Sequence, residues 1–372
     1  MNCAVFLARA LAAPEQTIPP PAADVEEIVA AASAHRVLVL LGSLVRRAGK
    51  FEAWPPAFAD GFLAAERTAV AFDCVRHAET ASILAALADR GVRALVFKGA
   101  AVARRYYAAC HLRPHTDTDL LVSQDDLAAV DGVFARRGFT RQRETSGRLV
   151  SYQQHYGKRD RHAVFHAFDV HVKISNRHAL ADRVSFDELW SRRVPLPAFG
   201  TAGATVATPD ALLLALVHRA GHHPGSRDLL WIYDLHVLAG ALTGDEERRF
   251  EELARARGLR SIACDGLQLA AGLLGGAAAD RLARSLAVRL SETDEVAPIA
   301  AGSSETDLLR LDLRALATWR ERGRLVREHL FPAPGYMRGK YGVESTLLLP
   351  ALYAWRVVAG APRWLRRRSA PR

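Results

Sequence analysis

The chain has 372 residues, half of them hydrophobic and 24% charged, an ordinary globular composition that excludes a disordered or collagen-like chain. At about 150 residues per domain, this length predicts two to three domains, with enough buried surface to need no disulfide or metal staple. Lysine and arginine outnumber aspartate and glutamate by 50 to 40, an excess that attracts polyanions such as nucleotides, nucleic acids or anionic lipid heads without choosing among them.

In chain order, Met1 to Gln16 holds a short apolar run with no basic stretch ahead of it, which predicts the beginning of a helix rather than a secretory leader. Ile18-Pro19-Pro20-Pro21 interrupts it, and apolar residues at helical spacing then predict helix over Val25–Leu44 and again over Phe58–Arg90. From Gly91 the texture changes. Val92–Phe97 and Thr118–Val122 are short apolar runs of buried-strand type, and Ser123 to Asp126 offers an N-cap for a helix over Leu127–Arg136. Leu149–His155 and Ala163–Ile174 read as two further strands joined at the charged turn Gly157 to Arg161, with Asp169, His171 and Lys173 on one face. Thr208-Pro209-Asp210 starts a return to helices, with Thr208 as the expected N-cap. Helices are expected at Ala211–Ala220, through Trp231 to Leu242, and over Glu246–Arg257, Leu267–Leu274 and Leu308–His329, with loops at Gly272–Ala279 and Ala300–Ser304.

The four cysteines form no CxxC pair, which points to a reducing cytoplasm rather than a disulfide framework or zinc knuckle. No segment predicts a membrane span, since the apolar stretch Leu347–Pro362 is interrupted by Arg356 and prolines. The tail Arg363 to Arg368 reads as a basic solvated end.

The chemistry concentrates around Phe97-Lys98-Gly99-Ala100-Ala101 and the run Arg113 to Val122. Asp117 and Asp119 are two apart on an expected strand, so both carboxylates project from one face, where they repel unless a cation lies between them. A hard divalent ion, Mg²⁺ or Mn²⁺, suits such a pair, and Asp169 on a later strand completes a three-carboxylate set if the strands are neighbours. Gly99 lets backbone approach a phosphate at a helix N-terminus, and Lys98 supplies positive charge beside it. Arg113 either contacts phosphates or braces Asp117. His218 and His222 stand one helical turn apart, but no third ligand accompanies them, so a cleft lining or a packed interface suits them better than zinc. Asp234 is either a cleft residue or the packing partner of an arginine such as Arg219.

Lys-Gly before a helix, then Arg-Pro, then Asp117-Thr118-Asp119-Leu120-Leu121-Val122 resembles uncharacterised bacterial nucleotidyltransferases of the DNA polymerase β-like superfamily. Asp169-Val170-His171 matches that family's later Asp-x-His strand. Leu216-Val217-His218, Leu230 to Leu235, Phe331-Pro332 and Tyr336-Met337-Arg338 echo its helical and C-terminal segments. Ala100 departs from the superfamily, which has Ser or Gly at that turn position. The resemblance implies an α+β fold: a polymerase β-like core, a small mixed sheet with helices, flanked by N-terminal and C-terminal helical regions. Residues 1–90 would be the N-terminal helical region, 91–200 the nucleotidyltransferase core, 201–330 a helical domain and 331–372 a helical, basic tail. It further implies catalytic and metal-binding roles for Asp117, Asp119 and Asp169, and nucleotide contacts from Lys98, Gly99, Ala100 and Arg113. The expected reaction moves a nucleoside monophosphate, AMP from ATP, to a small-molecule, peptide or protein acceptor. The alternative is a nucleotide- or partner-binding protein that kept this fold and lost catalysis. A nucleic-acid binder is least favoured, because no helix-turn-helix or RNP-like signature is present.

Overall fold

The computed structural model describes residues 2–142, 147, 149–287, 296, 299, 305–343 and 345–365. Three helices open the chain: α1 (Cys3–Ala12), α2 (Val25–Ala34) and α3 (Leu38–Arg47). The single helix expected over Val25–Leu44 is two. The chain turns at His35 to Val37, where Arg36 takes a left-handed φ of 58°, and the helices diverge by 116°. The break lets both helices turn apolar sides, Ile28 and Ala32 from one and Leu40, Leu41 and Val45 from the other, into the same core. The 33-residue α4 (Pro56–Ala88) follows, its proline in the first turn where no amide donor is needed.

The sheet begins with β1 (Ala94–Phe97), runs through α5 (Lys98–Tyr106) to β2 (Thr118–Val122), and continues past α6 (Leu127–Arg136) to β3 (Thr140–Arg141), β4 (Gln153–Arg159) and β5 (Phe165–His171). After α7 (His178–Ala181) and α8 (Phe186–Ser191) come the short β6 (Val194–Pro195) and β7 (Ala204–Thr205). These form one mixed sheet in the order β3-β4-β5-β2-β1-β7-β6. Because side chains alternate across a strand, Val96, Leu120, Val122, Phe168 and Val170 join the core that α4 and α6 cover. Leu95, Phe97 and Leu121 meet the opposite core, shared with the later helices. Asp119, Asp169 and His171 stand on this second face.

The hairpin between β4 and β5 closes later than the sequence predicts. Asp160 Oδ1 accepts from the amides of His162 and Val164 at 2.8 and 2.9 Å, a side-chain-capped turn that leaves Gly157 to Arg159 in the strand. At the other end, Leu149 to Tyr152 lie outside β4, with the Tyr152 amide held by Asn176 Oδ1. Lys173 likewise lies beyond β5 and pairs with Asp182.

The remaining helices among the described residues are α9 (Thr208–His222), α10 (Leu229–Gly240), α11 (Gly244–Ala256), α12 (Arg260–Leu274), α13 (Ala277–Ala287), α14 (Glu305–Ala315), α15 (Trp319–Leu330), α16 (Pro334–Tyr341) and α17 (Leu349–Leu365). Ala207 rather than Thr208 precedes α9, so Thr208 is already helical; Asp210, fully buried, is bound by Arg192 through two hydrogen bonds. The expected Leu308–His329 helix is α14 and α15, separated where Thr318 and Glu321 form a reciprocal capping box that starts α15 afresh. The loop expected at Gly272–Ala279 shrinks to Gly275-Gly276, both at positive φ. Ala300–Ser304 and the arginines Arg366 to Arg368 lie outside the described residues. Among the described residues, no single helix is long and apolar enough to cross a membrane.

Candidate active site

The parallel pairing of β2 with β5 sets Asp119 directly beside Asp169, and the antiparallel pairing of β1 with β2 sets Phe97 opposite Asp119. Lys98, the next residue, takes a left-handed φ of 53° as the strand turns into α5. Its Nζ donates to Asp119 Oδ1 at 2.9 Å and lies 3.3 Å from His171 Nε2, which is itself 2.8 Å from the same oxygen. Burial alone would raise the Asp119 carboxyl, but the Lys98 ammonium and the His171 hydrogen bond outweigh it and hold that carboxyl well below the usual range.

Asp169 is fixed from β4. His155, its cross-strand neighbour, places Nδ1 2.6 Å from Asp169 Oδ1, and Gln153 Nε2 donates to Oδ2 at 3.0 Å. Asp117, one residue before β2, lines the same cleft, where burial and the charges of Asp119 and Asp169 push its carboxyl up to about 6. Donor atoms of Asp119, Asp169 and His171 lie within 4.8 Å of one another and could hold a metal ion. Two carboxylate oxygens with an imidazole suit a divalent cation, and the Lys98 ammonium already lies against two of these groups. Within the cluster, the hydrogen bond of His171 is to Asp119.

Gly99 and Ala100 are buried in the first turn of α5. A Cβ at Gly99 would come within 2.9 Å of Arg113 Nη1 and 3.2 Å of the His115 Cβ, so a side chain there would have to push the guanidinium aside. That guanidinium is anchored on one edge. Its Nε and Nη2 reach Asp234 at 2.8 and 2.6 Å, and Tyr107 donates to the same carboxylate at 2.8 Å. Asp234 is thus the partner of Arg113, while Arg219 takes Asp265.

A cleft of about 440 Å³ runs from the carboxylates to α9 and α10, within the range that holds nucleotide-sized ligands. Its far wall is aromatic: His218 stacks on His222 with ring centroids 5.2 Å apart, His223 lies tilted against Trp231 at 4.1 Å, and Arg36 covers Trp231 at 4.8 Å. Burial first, then nearby cations, keeps all three imidazoles below their ordinary value, with His222 at about 3, so these rings are uncharged at neutral pH and Arg36 brings the wall its positive charge. A second, mostly apolar pocket of about 520 Å³ lies between α3 and α4. It shares Arg36 and the segment Arg113-Pro114-His115 with the cleft.

The motif residues Lys98, Gly99, Arg113, Asp117, Asp119 and Asp169 therefore all line one cleft. His155 and Gln153 escaped the sequence reading for a definite reason: a turn centred on Arg159 would set Leu149, not His155, opposite Asp169. The Asx turn at Asp160 is the signal that corrects it. Nothing in the local pattern marks Arg36, which reaches the cleft only because the chain breaks between α2 and α3.

No curated protein matches the chain. A family model described as an uncharacterised nucleotidyltransferase matches residues 21–275, well over half the chain and every element that builds the cleft. The chain belongs to this nucleotidyltransferase family.

Proposed function

We propose that the protein is a divalent-metal-dependent nucleotidyltransferase that transfers a nucleoside monophosphate, AMP from ATP, to an acceptor and releases pyrophosphate. The observation that carries this is the pairing of Asp119 with Asp169 on adjacent strands at the floor of a cleft, with Asp117 at its edge. Asp119 and Asp169, with His171 or Asp117, would hold Mg²⁺ or Mn²⁺. When bound, the cation neutralises charge on the α-phosphate and lowers the barrier to attack by an oxygen nucleophile.

The chain's own residues supply the rest. Gly99 and Ala100 present the α5 amide end to the phosphates, and Lys98 adds a flexible positive charge. Arg113 clamps the turn to α10 through Asp234 and keeps its remaining guanidinium edge in the cleft for the phosphates. The wall of uncharged imidazoles and Trp231, with Arg36 beside it, offers aromatic surface and a cation for a base and its phosphates. Asp169, backed by His155, takes the proton from the acceptor hydroxyl as its oxygen bonds to the α-phosphorus. The bond from that phosphorus to the bridging oxygen breaks, and pyrophosphate departs with the electron pair. The second, apolar pocket supports an acceptor with an apolar body, reaching the carboxylates past Pro114 and His115.

Labelled NTPs with Mg²⁺ or Mn²⁺ and a panel of hydroxyl-bearing acceptors test this reading. Pyrophosphate is expected, and Asp117→Asn with Asp119→Asn abolishes it; unchanged turnover in that double variant refutes the assignment. Ala100, which brings no hydroxyl to the phosphate turn, favours a second reading of nucleotide binding without catalysis. Calorimetric binding of ATP with Mg²⁺ and no turnover on any acceptor would select it.

A further inference from the structure

Resting on the metal-dependent reading above, we propose that Lys98 is a resident counter-ion. It occupies the cation position on Asp119 in the metal-free protein and passes to the triphosphate when the metal arrives.

Three independent observations support this. The first is position: Nζ lies 2.9 Å from Asp119 Oδ1 and 3.3 Å from His171 Nε2, so one ammonium touches two of the three groups able to hold a metal. Both side chains of the ion pair are largely enclosed, at 14% and 12% exposure, so the pair is weakly screened and a second cation on Asp119 would be strongly repelled. The second is backbone conformation. A φ of 53° is the left-handed region that favours glycine, yet the chain places there a lysine whose charge the site uses. Unfavourable backbone held in place by its surroundings is characteristic of functional positions. The third is reach. Lys98 is the first residue of α5, immediately before Gly99, so its flexible stem starts beside the helix end that would face phosphates. Its ammonium also lies 4.8 Å over the Phe97 ring, a weak contact that it can leave. Asp119 is thus kept ionised and preorganised, and the lysine is exchanged for metal without leaving either anion bare.

The test uses the full chain and Mn²⁺ alone, with free Mn²⁺ counted by electron paramagnetic resonance. Lys98→Met is expected to bind Mn²⁺ at least about tenfold more tightly than wild type, because the competing charge is gone. Lys98→Arg, which keeps the charge, is expected to show no such gain. Lys98→Gly suits the backbone conformation and serves as the charge-free variant should Lys98→Met fold poorly. With Mn²⁺ saturating, both charge-free variants should bind a non-hydrolysable ATP analogue more weakly. Mn²⁺ affinity that depends on Asp119 but is unchanged or lower in Lys98→Met and Lys98→Gly overturns the role of Lys98 and leaves the metal site standing. Mn²⁺ affinity equal in wild type, Lys98→Met and Asp119→Asn overturns the metal reading itself.

Discussion

Asp117 makes the folded protein pay for its chemistry, and the amount can be worked out. Its carboxyl, ordinarily at 3.8, is pushed up to about 6 by burial and by Asp119 and Asp169. Between those two values the unfolded chain has released a proton that the folded chain still holds, so stability falls as pH rises through the window and levels off above it. At about 1.4 kcal/mol per unit, a shift of roughly two units destabilises the metal-free fold by about 3 kcal/mol once Asp117 is ionised. Asp117→Asn removes that ionisation. Urea denaturation in EDTA across the window should show the variant and wild type converging in acid and separating as pH rises, with the variant more stable by about 2–3 kcal/mol near pH 8. Added Mg²⁺ should then stabilise wild type selectively and narrow the gap. A difference that does not vary with pH, or a variant less stable than wild type at high pH, would refute the electrostatic argument.

Two further outcomes follow from the architecture. Asp234→Asn or Arg113→Met leaves a buried charge without its partner and should cost about 3–5 kcal/mol in a denaturant melt, while the joint replacement Arg113→Met with Asp234→Leu should lose less than either alone. Ala69→Trp fills the pocket between α3 and α4, and should reduce acceptor-dependent pyrophosphate release by at least about tenfold with calorimetric ATP affinity unchanged; a parallel loss of ATP binding would count against separate subsites.

Local pattern carried the strands that hold the carboxylates, because Thr118–Val122 is apolar, short and bounded by breakers. It also carried Leu127–Arg136 to the residue, since Ser123 and the acidic run after it announce a helix start. What it missed was set by side-chain bonds that periodicity does not contain. The Asp160 turn shifted the hairpin register and with it the identity of the group opposite Asp169. The break at Arg36 is invisible to an apolar count that runs smoothly from Val25 to Leu44. The pairing of Arg113 with Asp234 rather than Asp117 was hidden because the two partners are 121 residues apart in sequence. Long-range pairing of this kind needs the fold before it can be seen.

One rod joins the apolar pocket to the carboxylate cleft. Along α4, Ala65 and Ala69 line the apolar pocket, Asp73 ties to Arg104 of α5 at 2.9 Å, Arg76 holds the His115 carbonyl at 2.5 Å, and Thr80 meets Thr118 beside Asp119 at 3.3 Å. An α-helix advances about 1.5 Å and turns about 100° for each residue. Inserting a single alanine between Arg76 and Thr80 would therefore swing the α4 wall of the pocket, Ala65 to Arg76, more than a quarter of a turn relative to the strands that carry Asp119 and Asp169. The spacing between the apolar pocket and the carboxylates is in this sense a ruler cut into α4, graduated in helical turns, and lengthening it by one residue should uncouple the proposed acceptor pocket from Asp119 and Asp169.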